Sequence, residues 1–167
     1  MGYRNKGLLP YQGKPLICWP LDIIDALPRQ VMISANNDLT QYRALAPTFT
    51  DGSPSLIGPL GGILSAFQQT NHDWLGFIPC DMPVSSSTLF TNIEEKLTDS
   101  FDAVLYRING RANPLFGAYH RRCLAQVEML ITEGNYRASC LADALDVGWV
   151  DVEDPTLTNV NYLHQLK

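Results

Sequence analysis

The sequence predicts an α/β fold with a mostly parallel sheet, and three observations support this prediction. Short apolar runs of strand length alternate with segments of helical spacing through the first half of the chain. The run "WLGFIPCD" is almost continuously apolar, as expected of a strand that is buried on both faces. Turn residues such as "ANND" separate the segments. Such alternation favours crossover units, in which a helix connects two parallel strands.

The first half of the chain contains predicted helices and strands in turn. Residues 16–27 have apolar side chains at helical spacing, and Pro20 is expected to kink that helix or delay its start. The run "QVMIS" is rich in strand-forming residues and ends at "ANND". In "GPLGGILSAFQQ" the apolar positions follow a helical period, and Pro59 suits the first turn of a helix. The apolar run that ends at Asp81 is the next predicted strand.

The second half of the chain is expected to complete the sheet and cover it with helices. The segment "FDAVLYRI" alternates apolar and polar residues and predicts a partly exposed strand, with "LFGAY" as its neighbour. Helices are predicted for "RRCLAQVEMLITEG" and "ASCLADAL", and a strand is predicted for "VGWVDV". A terminal helix is expected after "NVN".

Length and composition predict one domain that spans residues 1–167. With 167 residues, of which 46% are hydrophobic, the chain can bury one substantial core. The formal net charge is -5 at pH 7, and the sequence has no basic run or basic-aromatic stripe. We therefore expect no nucleic-acid partner.

Cysteine usage and hydropathy predict a cytoplasmic protein without membrane association. The sequence shows neither a secretory signal pattern nor an apolar stretch long enough to span a bilayer. The cysteines Cys18, Cys80, Cys123 and Cys140 lie far apart, which argues against a zinc site. Each has apolar neighbours, so we interpret them as small core residues in a reducing compartment.

Polar residues follow two of the predicted strands, namely Ser34, Asn36 and Asp81. Ligands of open α/β sheets bind outside the carboxyl ends of the strands, so these residues are candidates for a site. Asp81 has two interpretations. Its carboxylate would suit a magnesium ion that also binds nucleotide phosphates, or it would cap the helix that follows "MPVSSS".

Two further features suit phosphate groups. Lys6 follows a glycine-bearing turn and would place its ammonium against phosphate oxygens, although an ordinary surface lysine fits the same context. The glycines between Gly58 and Gly62 would let backbone N–H groups approach an anion at a helix N-terminus. The histidines are dispersed, and no signature of a covalent nucleophile occurs. The residues therefore indicate phosphate chemistry with a metal and without a covalent intermediate.

Five motifs occur in a characteristic order over essentially the whole chain. They are "NKGLLPYQGKPL", "ISANND", Asp51 followed by "IGPLGGI", "FIPCDMP" and "NVNYLHQL". In order and spacing they resemble the MobA family, the molybdenum cofactor guanylyltransferases. Lys-Gly and Gly-Lys-Pro-Leu recur in many sugar-phosphate nucleotidyltransferases, whereas Gly-Pro-Leu-Gly-Gly together with Cys-Asp-Met-Pro narrows the resemblance to this family.

The resemblance implies a Rossmann-like nucleotidyltransferase fold, with three α/β/α layers and a mostly parallel sheet. It implies that the protein joins GMP from GTP to the terminal phosphate of molybdopterin and releases pyrophosphate, with Mg²⁺ as cofactor. GTP and molybdopterin would be its small-molecule partners, and molybdoenzyme chaperones or other cofactor-biosynthesis proteins are candidate protein partners. Because this reaction joins two anions, positioning and charge neutralisation by magnesium and lysine would do most of the catalytic work.

The same resemblance assigns two candidate catalytic residues. Lys6 matches the family's phosphate-binding lysine, and Asp81 matches its metal-binding aspartate. Gly58 and Gly61 match the turn that packs beside the nucleotide.

The remaining assignments concern the nucleoside and the pterin. By position, Ser34, Asn36 and Asp51 fall where the family contacts guanine and ribose. Asn159 and Asn161 match the closing Asn-x-Asn, which in the family faces the pterin and the metal.

The sequence departs from the family pattern in two places. Asn5-Lys6 stands where family members usually carry Asp-Lys, which removes one carboxylate near the phosphate loop. The family also begins with an apolar strand and a Leu-Ala-Gly-Gly loop that ends in Arg-Met-Gly, and Met1-Gly2 matches the end of that loop. We therefore expect Met1 to be an internal methionine of a longer reading frame, whose first strand would lie within the sheet. The alternative is that Met1 is the genuine start and that the protein is degenerate.

Two other classes of function stay open at the level of sequence. A molybdopterin cytidylyltransferase or a sugar-phosphate nucleotidyltransferase would share the fold and the metal chemistry, and competition between GTP and CTP separates it from a guanylyltransferase. A non-catalytic binding or scaffold protein would keep its function after Asp81→Ala, whereas an enzyme would lose transition-state stabilisation.

Overall fold

A computed structural model describes residues 5–27, 29–51, 58–84, 86–155 and 157. The strands are β1 (Pro10–Tyr11), β2 (Lys14–Pro15), β3 (Ile33–Ser34), β4 (Thr48–Phe49), β5 (Trp74–Phe77), β6 (Ala103–Ile108), β7 (Arg111–His120) and β8 (Val147–Val152). The α-helices are α1 (Cys18–Asp25), α2 (Leu39–Arg43), α3 (Gly58–Gln68), α4 (Thr88–Glu94), α5 (Leu124–Thr132) and α6 (Ala138–Asp143). Short 3-10 turns occupy Lys6–Leu8 and Arg121–Cys123.

The described strands form one larger sheet and two small ones. The larger sheet has the order β5-β7-β6-β8, in which β6 pairs with β8 in parallel and β7 pairs with both β5 and β6 in antiparallel fashion. Strands β3 and β4 form a parallel pair, and β1 and β2 form an antiparallel hairpin. The α/β class is therefore confirmed, but the larger sheet is mixed rather than mostly parallel in the part of the chain that the structure describes.

The antiparallel pairing has a local cause at the turn between β6 and β7. Asn109 and Gly110 both have positive φ, 49° and 74° respectively. A two-residue turn with positive φ at both positions suits a tight hairpin, and Asn-Gly is its favoured sequence. The chain therefore returns directly along β6 instead of crossing over through a helix. The expected neighbour relation between "FDAVLYRI" and "LFGAY" is confirmed, but the expected partial exposure of that strand is wrong, because β6 is buried at every residue except the half-buried Arg107.

The central strand β6 separates two hydrophobic cores. Ala103 and Leu105 belong to one core, and Val104, Tyr106 and Ile108 belong to the other, as the alternation of side chains along a strand requires. The helices supply the first core with Leu60, Ile63, Phe67, Val127, Leu130 and Leu141. The second core contains Met82, Val84, Leu89, Ile93 and Phe116. Helices thus cover both faces of the sheet, and the three-layer arrangement is confirmed.

The predicted helices of the described residues are present, with adjusted bounds. Helix α1 begins at Cys18, so Pro20 lies in its first turn, where the missing N–H costs little. Helix α3 carries Pro59 at its second residue. The expected terminal helix after "NVN" lies outside the described residues. Within the described ranges, the helices fall short of the length and apolar content that a membrane span requires.

The strand expected from "WLGFIPCD" is shorter and less buried than predicted. Strand β5 ends at Phe77, and its residues are half-buried except for Gly76, which is exposed. Among the described strands, β5 pairs with β7 alone and lies at one edge of the larger sheet. The expectation of a strand buried on both faces is therefore wrong.

A bulge in β7 makes Gly117 essential to the sheet. The pairing between β6 and β7 shifts register between Leu105, which faces Gly117, and Tyr106, which faces Asn113. Gly117 has φ of +149°, and a Cβ atom there would lie 2.2 Å from the carbonyl oxygen of Val104. Because that oxygen belongs to the central strand, it cannot move away without breaking the sheet.

We predict that Gly117→Ala lowers the free energy of unfolding by about 3 kcal/mol or more, since it combines backbone strain with a steric overlap. Urea denaturation monitored by circular dichroism measures the change. Gly110→Ala is the matched control, because φ there is also positive but no heavy atom lies within 4 Å of the added Cβ. We expect the control to lose only about 1–2 kcal/mol. Equal losses in the two variants would contradict the steric argument.

Candidate active site

An ion pair joins the start of the described chain to the loop that follows β5. Lys6 Nζ lies 2.5 Å from Asp81 Oδ2, although the two residues are 75 positions apart in the sequence. The side chains are 37% and 16% exposed, respectively, so the pair is accessible to a ligand. The structure thus brings together the two residues that the sequence singled out for phosphate and metal binding.

The turn that carries Lys6 is held by close backbone packing. The backbone N–H groups of Leu16 and Ile17 donate to the carbonyl oxygens of Leu9 and Gly7, each at 3.0 Å. A Cβ atom on Gly7 would lie 2.7 Å from the Tyr42 hydroxyl and 3.3 Å from Cys80 Cβ. Glycine is therefore required next to Lys6, because any side chain would push the turn away from its neighbours.

A partly open cavity of about 660 Å³ lies beside this ion pair. Its lining includes Asn5 and Cys80, the immediate neighbours of Lys6 and Asp81 in the sequence. The described residues that line it are Asn5, Ile17, Ser34, Ala35, Asn36, Asn37, Asp38, Tyr42, Asp51 and Cys80. This volume lies within the range of small-molecule sites.

The predicted nucleoside residues Ser34, Asn36 and Asp51 all line the cavity. Ser34 ends β3, and its parallel partner β4 ends at Phe49, two residues before Asp51. The carboxyl ends of these strands therefore deliver all three residues to one place. Asn36 Oδ1 accepts the backbone N–H of Asp51 at 3.2 Å, which joins the two strand ends.

Helix α3 supports the cavity from one side. Ser65 Oγ donates to the carbonyl oxygen of Asp51 at 2.8 Å, and a Cβ atom on Gly62 would lie 3.8 Å from Ser34 Oγ. The predicted residues Gly58 and Gly61 begin this helix but are not among the described residues that line the cavity. Gly61 is buried, and Gly58, with φ of +52°, packs against the backbone of Tyr136.

The Tyr42 hydroxyl and the Cys80 thiol lie near the ion pair, and both remain protonated at neutral pH. Burial raises the pKa of Tyr42 to about 12, with smaller contributions from Cys80 and Asp38. Burial also raises the pKa of the Cys80 thiol, Asp81 raises it further, and Lys6 lowers it. At neutral pH neither group therefore adds a charge beside the Lys6–Asp81 pair.

Asp81 does not cap the helix that follows it. Helix α4 begins at Thr88, whose backbone N–H donates to Ser86 Oγ at 3.3 Å. Ser86 and Ser87 stand at the positions next to the helix start, and Asp81 lies well before them. The capping interpretation of Asp81 is therefore wrong, and its carboxylate points to Lys6 instead.

The described residues contain no group of three or more His, Cys, Asp or Glu side chains that could hold a metal ion. Asp81 alone nevertheless suits magnesium, which proteins often bind through one or two carboxylates plus substrate phosphates and water. The predicted residues Asn159 and Asn161 lie outside the described residues.

Sequence reasoning missed seven of the described residues that line the cavity. Three of them, Asn5, Tyr42 and Cys80, adjoin or contact the residues of the ion pair and its turn. Asn5 and Cys80 directly precede the candidates Lys6 and Asp81 in the sequence, and this position is the signal that could have identified them. Tyr42 lies on α2, and its role depends on contacts that the sequence alone does not reveal.

Comparison with known proteins gives both family and fold. The MobA-like NTP transferase domain matches residues 1–147. A protein named molybdenum cofactor guanylyltransferase from Vibrio atlanticus (strain LGP32) is 30% identical over 161 residues, which cover 96% of this chain and 83% of that protein.

Solved structures share the fold at low sequence identity. Molybdopterin-guanine dinucleotide biosynthesis protein A from Archaeoglobus fulgidus has a TM-score of 0.71 and 21% identity, covering 90% of this chain and 76% of that one. A complex of Rv0371c from Mycobacterium tuberculosis H37Rv with manganese has a TM-score of 0.65 and 14% identity, covering 98% and 90%.

The domain match spans most of the chain and includes the Lys6 turn, the cavity and Asp81. The fold of the solved structures agrees with the layers described above. The chain therefore belongs to the MobA-like NTP transferase domain family and is a nucleotidyltransferase.

Proposed function

We propose that this nucleotidyltransferase transfers GMP from GTP to molybdopterin, which forms molybdopterin guanine dinucleotide and releases pyrophosphate. The observation that carries the proposal is the Lys6–Asp81 pair beside a cavity with polar walls. The name and the 30% identity of the Vibrio atlanticus relative support this choice of substrates.

In this proposal the cavity binds the nucleoside. Guanine presents N–H donors and a carbonyl acceptor on one edge, so it needs both acceptors and donors from the protein. Asp51 supplies carboxylate oxygens, and Asn36 and Ser34 supply an amide and a hydroxyl in the same wall. The hydrogen bond between Asn36 and the backbone of Asp51 holds these groups in a fixed relation, which favours binding without reorganisation.

The triphosphate then lies along the Lys6–Asp81 end of the cavity. Lys6 would place its ammonium against phosphate oxygens, and Asp81 is the residue that would hold a magnesium ion there. Magnesium, when bound, neutralises the negative charge that builds up on the phosphates. The manganese complex of the M. tuberculosis structure supports a divalent ion in this fold.

The transfer is a direct displacement. An oxygen of the molybdopterin terminal phosphate forms a bond to the α-phosphorus of GTP, and the bond from that phosphorus to the bridging oxygen of the β-phosphate breaks. Pyrophosphate leaves with the electron pair of the broken bond. Lys6 stabilises the charge of the phosphate oxygens, so the protein provides position and charge and no nucleophile.

Further residues and the setting complete the proposal. We assign Gly58 and Gly61 to the turn beside the nucleotide and Asn159 and Asn161 to the pterin and metal side, as the family pattern implies. We assign the activity to a single domain. All four cysteines are free thiols, which fits a reducing compartment, and we therefore place the protein in the cytoplasm. Chaperones of molybdoenzymes are the proposed recipients of the product.

The first prediction of this proposal concerns the base. With magnesium and molybdopterin present, GTP is expected to yield molybdopterin guanine dinucleotide and pyrophosphate, and CTP is expected to yield at most a small fraction of the same rate. Mass spectrometry of the product and a pyrophosphate release assay measure both reactions. A preference for CTP would show that the protein is a cytidylyltransferase. If a sugar phosphate is the better acceptor, molybdopterin is not the substrate.

The second prediction concerns the metal. Asp81→Asn is expected to lower kcat/KM by about 10²–10³, because the neutral amide no longer balances a divalent ion, and to raise the magnesium concentration needed for half-maximal rate. Steady-state kinetics at varied magnesium measure both effects.

Asp22→Asn is the matched control for that variant. It breaks another Lys–Asp pair, between Lys14 and Asp22, and unlike Lys6 and Asp81 neither of these residues is next in sequence to a described residue of the cavity lining. We expect the control to retain the wild-type rate and magnesium dependence. An Asp81→Asn enzyme that keeps the wild-type magnesium dependence would show that Asp81 does not bind the metal.

A further inference from the structure

Tyr42 contacts the turn of Lys6 on both sides of the lysine. Its hydroxyl donates to Asn5 Oδ1 at 2.6 Å, across 37 positions of sequence. The same hydroxyl oxygen would lie 2.7 Å from a Cβ atom on Gly7, so Gly7 packs directly beneath it. One atom of α2 thus fixes the residue before Lys6 by a hydrogen bond and the residue after it by contact.

The ring of Tyr42 is firmly held. The residue is 3% exposed and packs in a core with Ile17, Leu21 and Ile33. Leu21 and Ile33 belong to α1 and β3, and Ile17 directly precedes α1, so the ring is anchored to parts of the fold outside the turn itself. A buried tyrosine with a short hydrogen bond has little freedom, and it transmits that rigidity to its acceptor.

Lys6 itself needs such an anchor. A lysine side chain carries a flexible four-carbon stem, and holding it in one geometry costs conformational entropy. Holding the side chain of Asn5 and packing against Gly7 restricts the turn on both sides of Lys6, so less remains to be ordered than a free lysine would require when Nζ meets Asp81. Burial keeps the Tyr42 hydroxyl protonated, so it stays a donor to Asn5 at neutral pH.

From these contacts we infer that Tyr42 is a positioning residue, which acts through Asn5 and Gly7 to hold the ammonium of Lys6 at the phosphate end of the cavity. Its significance for catalysis rests on the proposed function, but the positioning of Lys6 can be measured without any substrate.

The substrate-free test measures the labelling rate of Lys6 by an amine-reactive reagent, followed by peptide mass spectrometry. Tyr42→Phe removes only the hydroxyl and is expected to increase the labelling of Lys6 several-fold, because the ammonium leaves Asp81 more often. Asn5→Ala removes the acceptor and is expected to have the same effect. Lys14 and Lys96 serve as internal references whose labelling stays unchanged.

The kinetic test is a double-mutant cycle with Mg·GTP and molybdopterin. Tyr42→Phe and Asn5→Ala are each expected to lower kcat/KM about 5–20-fold, and the double variant is expected to be no worse than either single variant, because both changes break one connection. Multiplied losses in the double variant would overturn the inference, since they would mean that Tyr42 acts independently of Asn5.

Tyr106→Phe is the matched control. It removes another buried hydroxyl with an equally short bond, 2.6 Å to the carbonyl oxygen of Leu89, in the second core. We expect Tyr106→Phe to change neither the labelling of Lys6 nor kcat/KM. Urea denaturation of each variant verifies that the measurements refer to folded protein.

The outcomes separate this inference from the proposed function. Unchanged labelling of Lys6 in folded Tyr42→Phe would overturn the inference whatever the substrates are. Increased labelling in Tyr42→Phe and Asn5→Ala, in an enzyme that fails to use GTP or molybdopterin, would support the positioning of Lys6 and refute the proposed function.

Discussion

The ion pair between Lys6 and Asp81 is the interaction on which the candidate site depends. It connects the first described turn to the loop after β5 and so determines the position of the charged groups beside the cavity, where we propose that the phosphates bind. Partly exposed ion pairs contribute only about 0–1 kcal/mol to stability, so folding alone gives little reason for this one. Nucleotidyl transfer instead requires two opposite charges, one that a phosphate can approach and one that a divalent ion can approach. Because the two side chains attract each other only weakly, a ligand group can replace either side chain as the partner of the other.

The rest of the fold keeps the two halves of this pair in place. Asp81 follows β5, which is paired to β7, and β7 is fixed to β6 through the bulge at Gly117. The Tyr119 hydroxyl, which donates to the carbonyl oxygen of Pro114 at 2.7 Å, ties the bulge to the same strand. On the other side, the Lys6 turn rests on Tyr42 and Cys80. The site is therefore formed by loops, but the loop of Asp81 follows a strand that is paired into the larger sheet and the loop of Lys6 contacts a buried side chain of α2.

The sequence predicts those features that depend on local patterns. Helices α1 and α3 follow from the spacing of apolar residues, and Ser34 and Asn36 follow from the rule that ligands bind at the carboxyl ends of strands. The alternation of elements in the first half does not indicate the mixed larger sheet, because the antiparallel pairing arises in the second half, at the positive-φ turn of Asn109 and Gly110. The partial exposure of β5 was missed because an apolar run does not reveal how many strands flank it. The contact of Tyr42 with Asn5 joins distant positions, and no periodicity encodes it.

Asn5 shows why a departure from the family pattern need not disturb the site. The family usually carries aspartate at this position, and the resemblance alone suggested that a carboxylate had been lost. In the structure the relevant group is the Oδ1 oxygen of Asn5, which accepts a hydrogen bond of 2.6 Å from the Tyr42 hydroxyl. Aspartate and asparagine both present that oxygen, so the hydrogen bond to Tyr42 survives the change while one negative charge is removed beside Lys6. Fewer negative charges near Lys6 favour the approach of a triphosphate, because repulsion between the protein and the phosphate oxygens is smaller. Asn5 therefore supplies the oxygen that Tyr42 needs and adds no negative charge beside Lys6.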